Sequence, residues 1–425
     1  MKTRKMGLLA LTLPMAVGAS AIATAGDLPS REEMWQIIQK QQRELDALKT
    51  QVGQPRSELS PAAVASPVAE AAKEAAKEVT KESGKEPGKE SGKEQPWPEK
   101  IKFSGLIKVD AMASGKDIKS NTRSSDVYIS EAHLTSDATI NEWTKGHIQF
   151  IYEKGVDDGP PADKNRVRLD EATITLGNTE RFPVFLTAGR MIAPLSTYTS
   201  NLIDDPLTLT LARSKETVGQ VGFESNGFYG SGWIFNGDVN RTGQPDTASQ
   251  GGGNLGYKLE DKGRDLKVDV GLGYTNSLDD SGTLSAIPTV LAGVKNHIGA
   301  VGAHATVNWN NFAFIGEYVA ATDTFQTGEL AYNGRGARPK AWNAELGYTY
   351  TLLKKDTTFS VAYQGTREAL AAALPEKRYL AGITIGIFDH TNLQFQYYRD
   401  KDYSIAVGGT NRSVDVGKTQ LVVDF

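Results

Sequence analysis

From Ile101 to Phe425 the hydrophobic positions recur with a period of two. Leu266, Val268, Val270, Leu272 and Tyr274 alternate with Lys267, Asp269, Gly271, Gly273 and Thr275. Trp342, Ala344, Leu346, Tyr348 and Tyr350 alternate with Asn343, Glu345, Gly347 and Thr349. Ala381, Ile383, Ile385 and Ile387 alternate with Gly382, Thr384 and Gly386, and Leu421, Val423 and Phe425 end the chain in the same style. Successive side chains of a strand point to opposite faces, so each segment has one large apolar face and one small, polar or charged face. A soluble antiparallel sheet packed on a core shows the same alternation. Two features point elsewhere. The strands run to about 10 to 13 residues, where soluble ones centre on about 5–6. The breaks between them also alternate between short and long.

Short breaks fall near Asn141, Asn178, Asn226, Asp261, Asn310, Leu353 and Asp389. Long ones cover 114–124, 155–165, 192–216, 240–250, 277–296, 322–338, 367–376 and 401–412. Seven short turns interleaved with eight long loops connect sixteen strands. An even count with short turns at one end is the pattern of an outer-membrane barrel, with lipid outside and polar groups within. The expected fold of 99–425 is therefore all-β, a 16-stranded antiparallel transmembrane β-barrel. Both termini then lie at the short-turn, periplasmic end. Trp143, Trp309 and Tyr350 sit beside short turns, where an aromatic girdle belongs. Phe425, a terminal aromatic on an alternating strand, resembles the signal read by the barrel-assembly machinery, which makes that machinery an expected partner.

The N-terminal quarter has another character. Lys2, Arg4 and Lys5 precede a mostly apolar stretch, Gly7 to Ala21, and Ala23-Thr24-Ala25 supplies a cleavage pattern, so 1–25 reads as an export signal. Ser30 and Glu33 have the spacing of a capping box. Met34, Ile38, Gln41, Leu45, Leu48 and Val52 then form an a/d seam, which predicts a periplasmic coiled-coil helix over 26–53. So short a helix is marginal alone, which suits self-association into a homo-oligomer. Over 54–98 an Ala/Pro stretch leads into Lys-Glu dipeptides spaced four apart and interrupted by Gly and Pro. That composition predicts a low-complexity linker.

Composition narrows the function. Lys+Arg number 47 against 51 Asp+Glu, a net charge of −4, so no basic bias invites nucleic acid. Zero cysteines exclude disulfides, iron–sulfur clusters and thiol nucleophiles. The five histidines, His133, His147, His297, His304 and His390, have no metal-binding spacing, and no G-x-S-x-G elbow exists. An enzyme, a cofactor and a metal site are not expected. An eight-stranded barrel is filled by side chains, but about sixteen strands leave a water-filled channel. Its expected lining is Lys108, Asp110, Glu131, His133, Glu153, Lys267, Asp269, His304, Glu317 and Glu345. Loop 192–216 is expected to fold inward as a constriction. There Asp204, Asp205, Arg213, Lys215 and Glu216 would set up a transverse field, and the run Leu207 to Leu211 would pack on the inner wall. Asp279 and Asp280, in loop 277–296, are expected on an exposed extracellular flap.

The chain resembles the LbtU-type siderophore porin family of Gram-negative bacteria. The resemblance rests on the signal peptide, coiled coil, linker and barrel, and on two stretches within the barrel. These are Gly189-Arg190-Met191-Ile192-Ala193-Pro194 and Asn201-Leu202-Ile203-Asp204-Asp205-Pro206-Leu207-Thr208-Leu209, similar to that family's fifth strand and third loop. The resemblance implies passive passage of ferric siderophores across the outer membrane without energy coupling. The residues leave two alternatives open: a general or anion- or sugar-selective diffusion porin, and a structural or adhesive barrel tethered to the cell wall.

Overall fold

A computed structural model of the chain describes residues 100–116, 122–153 and 167–425. The chain divides into two units, Met1–Ser91 and Gly92–Phe425. The expected signal peptide, coiled-coil helix and linker lie outside the described residues. Within the second unit sixteen antiparallel strands close into a barrel. They are β1 (Ile101–Ser114), β2 (Ser124–Thr139), β3 (Thr144–Glu153), β4 (Val167–Gly177), β5 (Val184–Ile192), β6 (Lys215–Ser225), β7 (Phe228–Phe235) and β8 (Gln250–Asp261). The second half comprises β9 (Leu266–Thr275), β10 (Ala300–Trp309), β11 (Phe312–Ala321), β12 (Lys340–Leu352), β13 (Lys355–Arg367), β14 (Lys377–Phe388), β15 (Thr391–Lys401) and β16 (Ser413–Asp424). Each strand pairs with its neighbours in sequence. β16 returns to β1, with Leu106 opposite Asp424 and Ser114 opposite Val416. In hydrocarbon every backbone N–H and C=O must be paired within the protein, and closure leaves no edge to satisfy.

The connections fall where the alternation breaks. Several of the short turns use left-handed backbone, as two-residue hairpins do. Asn226 (φ 51°) and Gly227 (φ 85°) supply it with favourable residues. Leu353 (φ 51°) and Lys354 (φ 63°) adopt it without glycine, at a cost of about 1–3 kcal/mol per residue.

The outer face is built for lipid. Phe103, Leu134, Ile174, Leu186, Leu255, Leu272 and Val361 are exposed large hydrophobics on the outward positions. Trp143, Phe182, Phe228, Trp309, Phe312, Tyr350 and Phe388, also exposed, lie at the short-turn end. Tyr274, Tyr318, Tyr379 and Tyr397 stand toward the other end. On β14 the run from Tyr379 to Phe388 covers about 30 Å of strand. Tilted by about 40° it rises roughly 23 Å, near the height of a lipid-facing apolar band. Simple parity would turn Phe388 inward. A register shift between Gly386 and Phe388 turns it out.

The largest apolar core lies in the long loops, not the sheet. Short helices α1 (Leu207–Ala212), α2 (Gly282–Ser285) and α3 (Pro288–Leu291) punctuate them. Leu195, Leu207 and Leu211 pack with Leu278, Leu284, Val290, Val294, Phe325, Leu330 and Leu374. The apolar run Leu207 to Leu211 thus packs among loops as well as along the wall. This cap also corrects one expectation. Asp279 and Asp280 are buried beneath it, at 0% and 2% exposure.

At the seam, Phe425 N donates to Gly105 O (3.0 Å) and Gly105 N to Phe425 O (2.8 Å). The Phe425 ring lies over Gly105, so close that a Cβ there would fall 2.3 Å from the ring. The chain end therefore completes barrel closure. Deleting Phe425 is expected to lower the yield of folded, heat-modifiable barrel on denaturing gels. Conduction per folded channel should stay unchanged in planar bilayers.

Candidate functional site

The segment after β5 turns into the barrel and runs around its inner wall. Asn254 Nδ2 on β8 donates to Pro194 O (2.8 Å). Ser196 Oγ and Thr197 N both lie 3.3 Å from His304 Nδ1 on β10. Thr199 N donates to Glu317 on β11 (2.9 Å). Glu345 on β12 accepts from Ser200 Oγ (2.7 Å), Asn201 N (2.7 Å) and Asn201 Nδ2 (2.8 Å). Gln396 on β15 accepts from Ile203 N (2.7 Å) and also donates to Asp204. Lys418 on β16 completes the course with an ion pair to Asp204. Residues 194–204 thus form a belt that crosses one strand after another. The neighbouring strands from β8 to β16 span about 38 Å of wall at about 4.8 Å per gap. Extended backbone from Pro194 to Asp204 reaches about 36 Å, enough on the smaller inner radius.

Two wall features admit the belt. One is glycine. A Cβ on Gly273 of β9 would sit 1.9 Å from Leu195 O, and one on Gly382 of β14 would sit 2.6 Å from Leu202 Cδ2. The other is a set of acceptors. An extended segment without a sheet partner has free N–H groups, which must find oxygen or nitrogen acceptors once buried. Glu317, Glu345 and Gln396 supply them. Hydrogen bonds to a charged group contribute about 1.5–3 kcal/mol each, which makes Glu345, with three, the strongest anchor.

After the belt, Leu207 N donates to Gln364 on β13 (3.2 Å) and Thr208 Oγ1 to Glu317. Helix α1 is clamped from above, where Thr283 Oγ1 donates to Thr210 O (2.5 Å) and Gly282 N to Arg213 O (3.0 Å).

The wall opposite, on β1 to β6, carries a ladder of alternating charge. Lys108 pairs with Glu131 (2.7 Å), and His133 contacts the same carboxylate. Arg168 reaches Glu153 (3.0 Å) and Asp170 (4.0 Å). Lys215 reaches Asp170 (2.6 Å) and Glu171 (3.8 Å). Strand bulges make this density attainable. The register shift opposite Lys108/Val109 turns both Ser130 and Glu131 inward, and Ser130 Oγ donates to Asp110 (2.8 Å). A second shift, at Gln149/Phe150, does the same for Asp170 and Glu171. Asp205 follows the end of the belt, with its backbone exposed and its carboxyl set among other groups. Partial burial raises its carboxyl pKa, while Arg213 and Lys108 pull it down.

The sequence-predicted residues therefore separate into groups. Lys108, Asp110, Glu131, His133 and Glu153 share the belt-free wall, where Gln420 Nε2 also donates to Asp110 (2.7 Å). Asp269, His304, Glu317 and Glu345 point inward as the alternation requires, but the belt and its neighbours cover them. Tyr229 OH, for instance, lies 2.8 Å from Asp269 and 3.0 Å from His304 Nε2. Lys267 shares their face yet stands at the rim, exposed and 3.4 Å from Glu260. Of the five loop charges, Asp204 is spent on Lys418, Asp205 and Arg213 stay near each other, and Lys215 joins the opposite wall. Glu216 has Asp238, Asp280 and Arg190 as its charged neighbours. Arg168, Asp170, Glu171, Gln364 and Gln396 had no place in the sequence reading. The bulged residues break the period-two rule, and the glutamines carry no charge to draw notice.

Asp279, Asp280 and His297 form a close buried group in the cap. Its oxygens are already engaged. Asp279 accepts from Ile298 N (2.7 Å), Ser277 Oγ (3.1 Å) and His297 (2.7 Å), and Asp280 from Val239 N (2.8 Å) and Ser277 Oγ (2.5 Å). The group therefore works as a loop anchor. Burial pushes the Asp280 carboxyl up to about 6, against the downward pull of Ser277 and Val239 N–H.

No family model matches the chain. A UPF0422 protein of Legionella pneumophila (strain Lens) is 29% identical over 345 residues, covering 72% of this chain and 63% of that protein. The match thus spans less than two thirds of that relative. A UPF0422 protein of Coxiella burnetii is 27% identical over 341 residues, covering 77% and 72%. Among solved structures, the anion-selective porin from Comamonas acidovorans superposes with a TM-score of 0.54 at 13% identity, over 76% of this chain and 99% of that one. Pseudomonas putida OprB gives 0.53 at 10% identity, over 77% and 95%. Salmonella typhi OmpF gives 0.51 at 12% identity, over 76% and 97%. The chain has the fold of the outer-membrane porins.

Two outcomes check this anatomy. Gly273→Val drives a side chain into the Leu195 carbonyl, and Glu345→Ala removes three anchors. Each is expected to raise single-channel conductance and current noise in planar bilayers as the belt lifts from the wall. The second concerns pH. Asp280 binds its proton more tightly folded than unfolded, so its contribution to cap stability is greatest below about pH 4 and declines as pH rises toward about 6. Asp280→Asn should flatten that decline. Limited proteolysis of the loops from pH 4 to 7 should show a widening gap in the variant's favour.

Proposed function

We propose that the protein is a passive outer-membrane channel that serves small polar solutes, ferric siderophores among them. The observation that carries the channel reading is the belt. It covers the inner wall of β8 to β16, and in this reading solutes pass between Asp205 and Arg213 on one side and the charged ladder on the other. In a narrow passage with low-dielectric walls, fixed charges act strongly on what crosses. The siderophore reading rests on the resemblance, whose two stretches are the start of the belt and its far end running into α1. In this reading the N-terminal region is periplasmic, the coiled coil joins copies of the chain, and Phe425 addresses the barrel to the assembly machinery.

The test is flux into liposomes holding the purified barrel. Swelling with sugars of graded size measures the passage, and uptake of a radio-iron ferric hydroxamate measures the finer reading. Passage of both is expected. Sugars without the ferric complex would leave a general diffusion porin, and no flux at all would sink the channel.

Selectivity gives a sharper check. Asp204 is neutralised by Lys418, so Asp205 is the acid that the passage feels. Asp205→Asn should shift the reversal potential in a salt gradient toward anions. Asp246, exposed on an outer loop, is the matched control. Its neutralisation should do little, because salt screens exposed charges beyond about 8 Å.

A further inference from the structure

On the extracellular side of α1 the lumen holds a chamber of about 800 Å³. Small-molecule sites typically enclose about 300–1,000 Å³. Leu207 and Thr210 of α1 form its floor. Its lining mixes apolar Met112, Leu370 and Val416 with the hydroxyl pair Ser114 and Ser124, 2.8 Å apart, and the Tyr398 ring.

The charge of this chamber differs from that of the passage below it. Arg378 forks onto Asp400, Nε to Oδ1 at 2.7 Å and Nη2 to Oδ2 at 2.8 Å. A guanidinium has five N–H donors, so the pair offers further hydrogen bonds while remaining neutral as a unit. The same guanidinium lies 4.7 Å from the Tyr398 ring centroid, which fixes its plane. Asp402 is buried and accepts from Thr410 N and Thr410 Oγ1, both at 2.7 Å. Arg378 and Asp400 thus offset each other, and the Asp402 oxygen that Thr410 meets is turned to its own loop. What remains for a ligand is apolar surface beside hydroxyls and neutralised donors.

We propose that this chamber is a binding site for uncharged amphipathic solutes, molecules that join an apolar ring to a hydroxyl-bearing part. The ring lies against Met112, Leu370 and Val416, and the hydroxyls meet Ser114, Ser124 and the Arg378 fork. The proposal rests on the channel reading for its role. The floor of the chamber begins two residues after Asp205, so a solute held there waits at the entrance to the passage. Conduction needs binding strong enough to fill a site and weak enough to empty it. A site that holds its solute by apolar contact and hydroxyls meets that condition better than one that holds it by strong charge pairing.

The experiment uses the full chain in planar bilayers, with phenyl β-glucoside and glucose added on the loop side. Phenyl glucoside should block ion current saturably and bind about tenfold tighter than glucose, the effect of about 1.4 kcal/mol of added contact. Met112→Trp on β1 and Leu370→Trp in the loop after β13, which fill the chamber from two separate segments, should each weaken that block about tenfold without moving the reversal potential. Folding of each variant is checked by heat modifiability, and either one suffices. Equal block by the two sugars, or block indifferent to a folded filling variant, overturns the proposal. If the wild type passes no ions, the channel reading has failed instead. Equilibrium dialysis of phenyl glucoside with the detergent-folded protein then tests the chamber by itself. Binding lost in the tryptophan variants supports the site, and binding that is absent or unaltered refutes it.

Discussion

Backbone hydrogen bonding in a solvent that offers none is the constraint from which the rest of this molecule follows. An unpaired amide in hydrocarbon costs several kcal/mol, so the strands must close, and β16 pairs with β1. A closed sheet of about sixteen strands encloses more space than its own side chains fill. The inward positions therefore face water or must be covered by something else. The outward positions face lipid and hold the large apolar residues. Among the described residues the wall itself holds only a small apolar cluster, around Val218, Trp233 and Phe235. Buried leucines and valines gather instead where loop meets loop, around Leu207, Leu278, Leu284 and Phe325.

The belt extends the same accounting of hydrogen bonds into the lumen. Residues 194–204 join no sheet, so their N–H groups depend on side-chain acceptors. The wall answers with Glu317, Glu345, Gln396 and His304, each on a different strand. In sequence these look like residues that line water. In the fold four inward candidates, Asp269, His304, Glu317 and Glu345, lie under or against the belt, and the residues left to the passage are those on β1 to β6. A carboxylate suits the anchoring role because it accepts only, with several lone pairs, and so holds two or three donors at once.

The sequence carried the barrel because alternation is a local property. A strand such as Leu266 to Thr275 declares both faces in ten residues, and a turn such as Asn226-Gly227 declares its backbone. The inward fold of loop 192–216 was legible only as a juxtaposition of charges and threonines. What lies over an inward face is not local: Asp204 meets Lys418 across 214 positions, and no spacing rule reports that. Bulges fail for a different reason. Period two places Asp170 or Glu171 inside, and only an inserted residue admits both. The burial of Asp279 and Asp280 had a visible sign, the apolar residues Leu278, Leu284, Val290 and Val294 around them, which an exposed flap would not need.

The separations in the belt also order assembly. The belt leaves β5 and enters β6, yet its anchors stand on β8 to β16. It cannot dock until the C-terminal half of the wall exists, and its last contact, Asp204 to Lys418, needs the strand that closes the barrel. Contacts of such range must wait for loop closure to be completed elsewhere. Helix α1 depends likewise on a later segment, since Thr283 and Gly282 clamp it from a loop that follows β9. Narrowing of the lumen is thus a consequence of closure. An unclosed sheet leaves the belt's amides without acceptors and its glycine tracks empty, so a barrel that fails to seal at Gly105 and Phe425 also fails to set its passage.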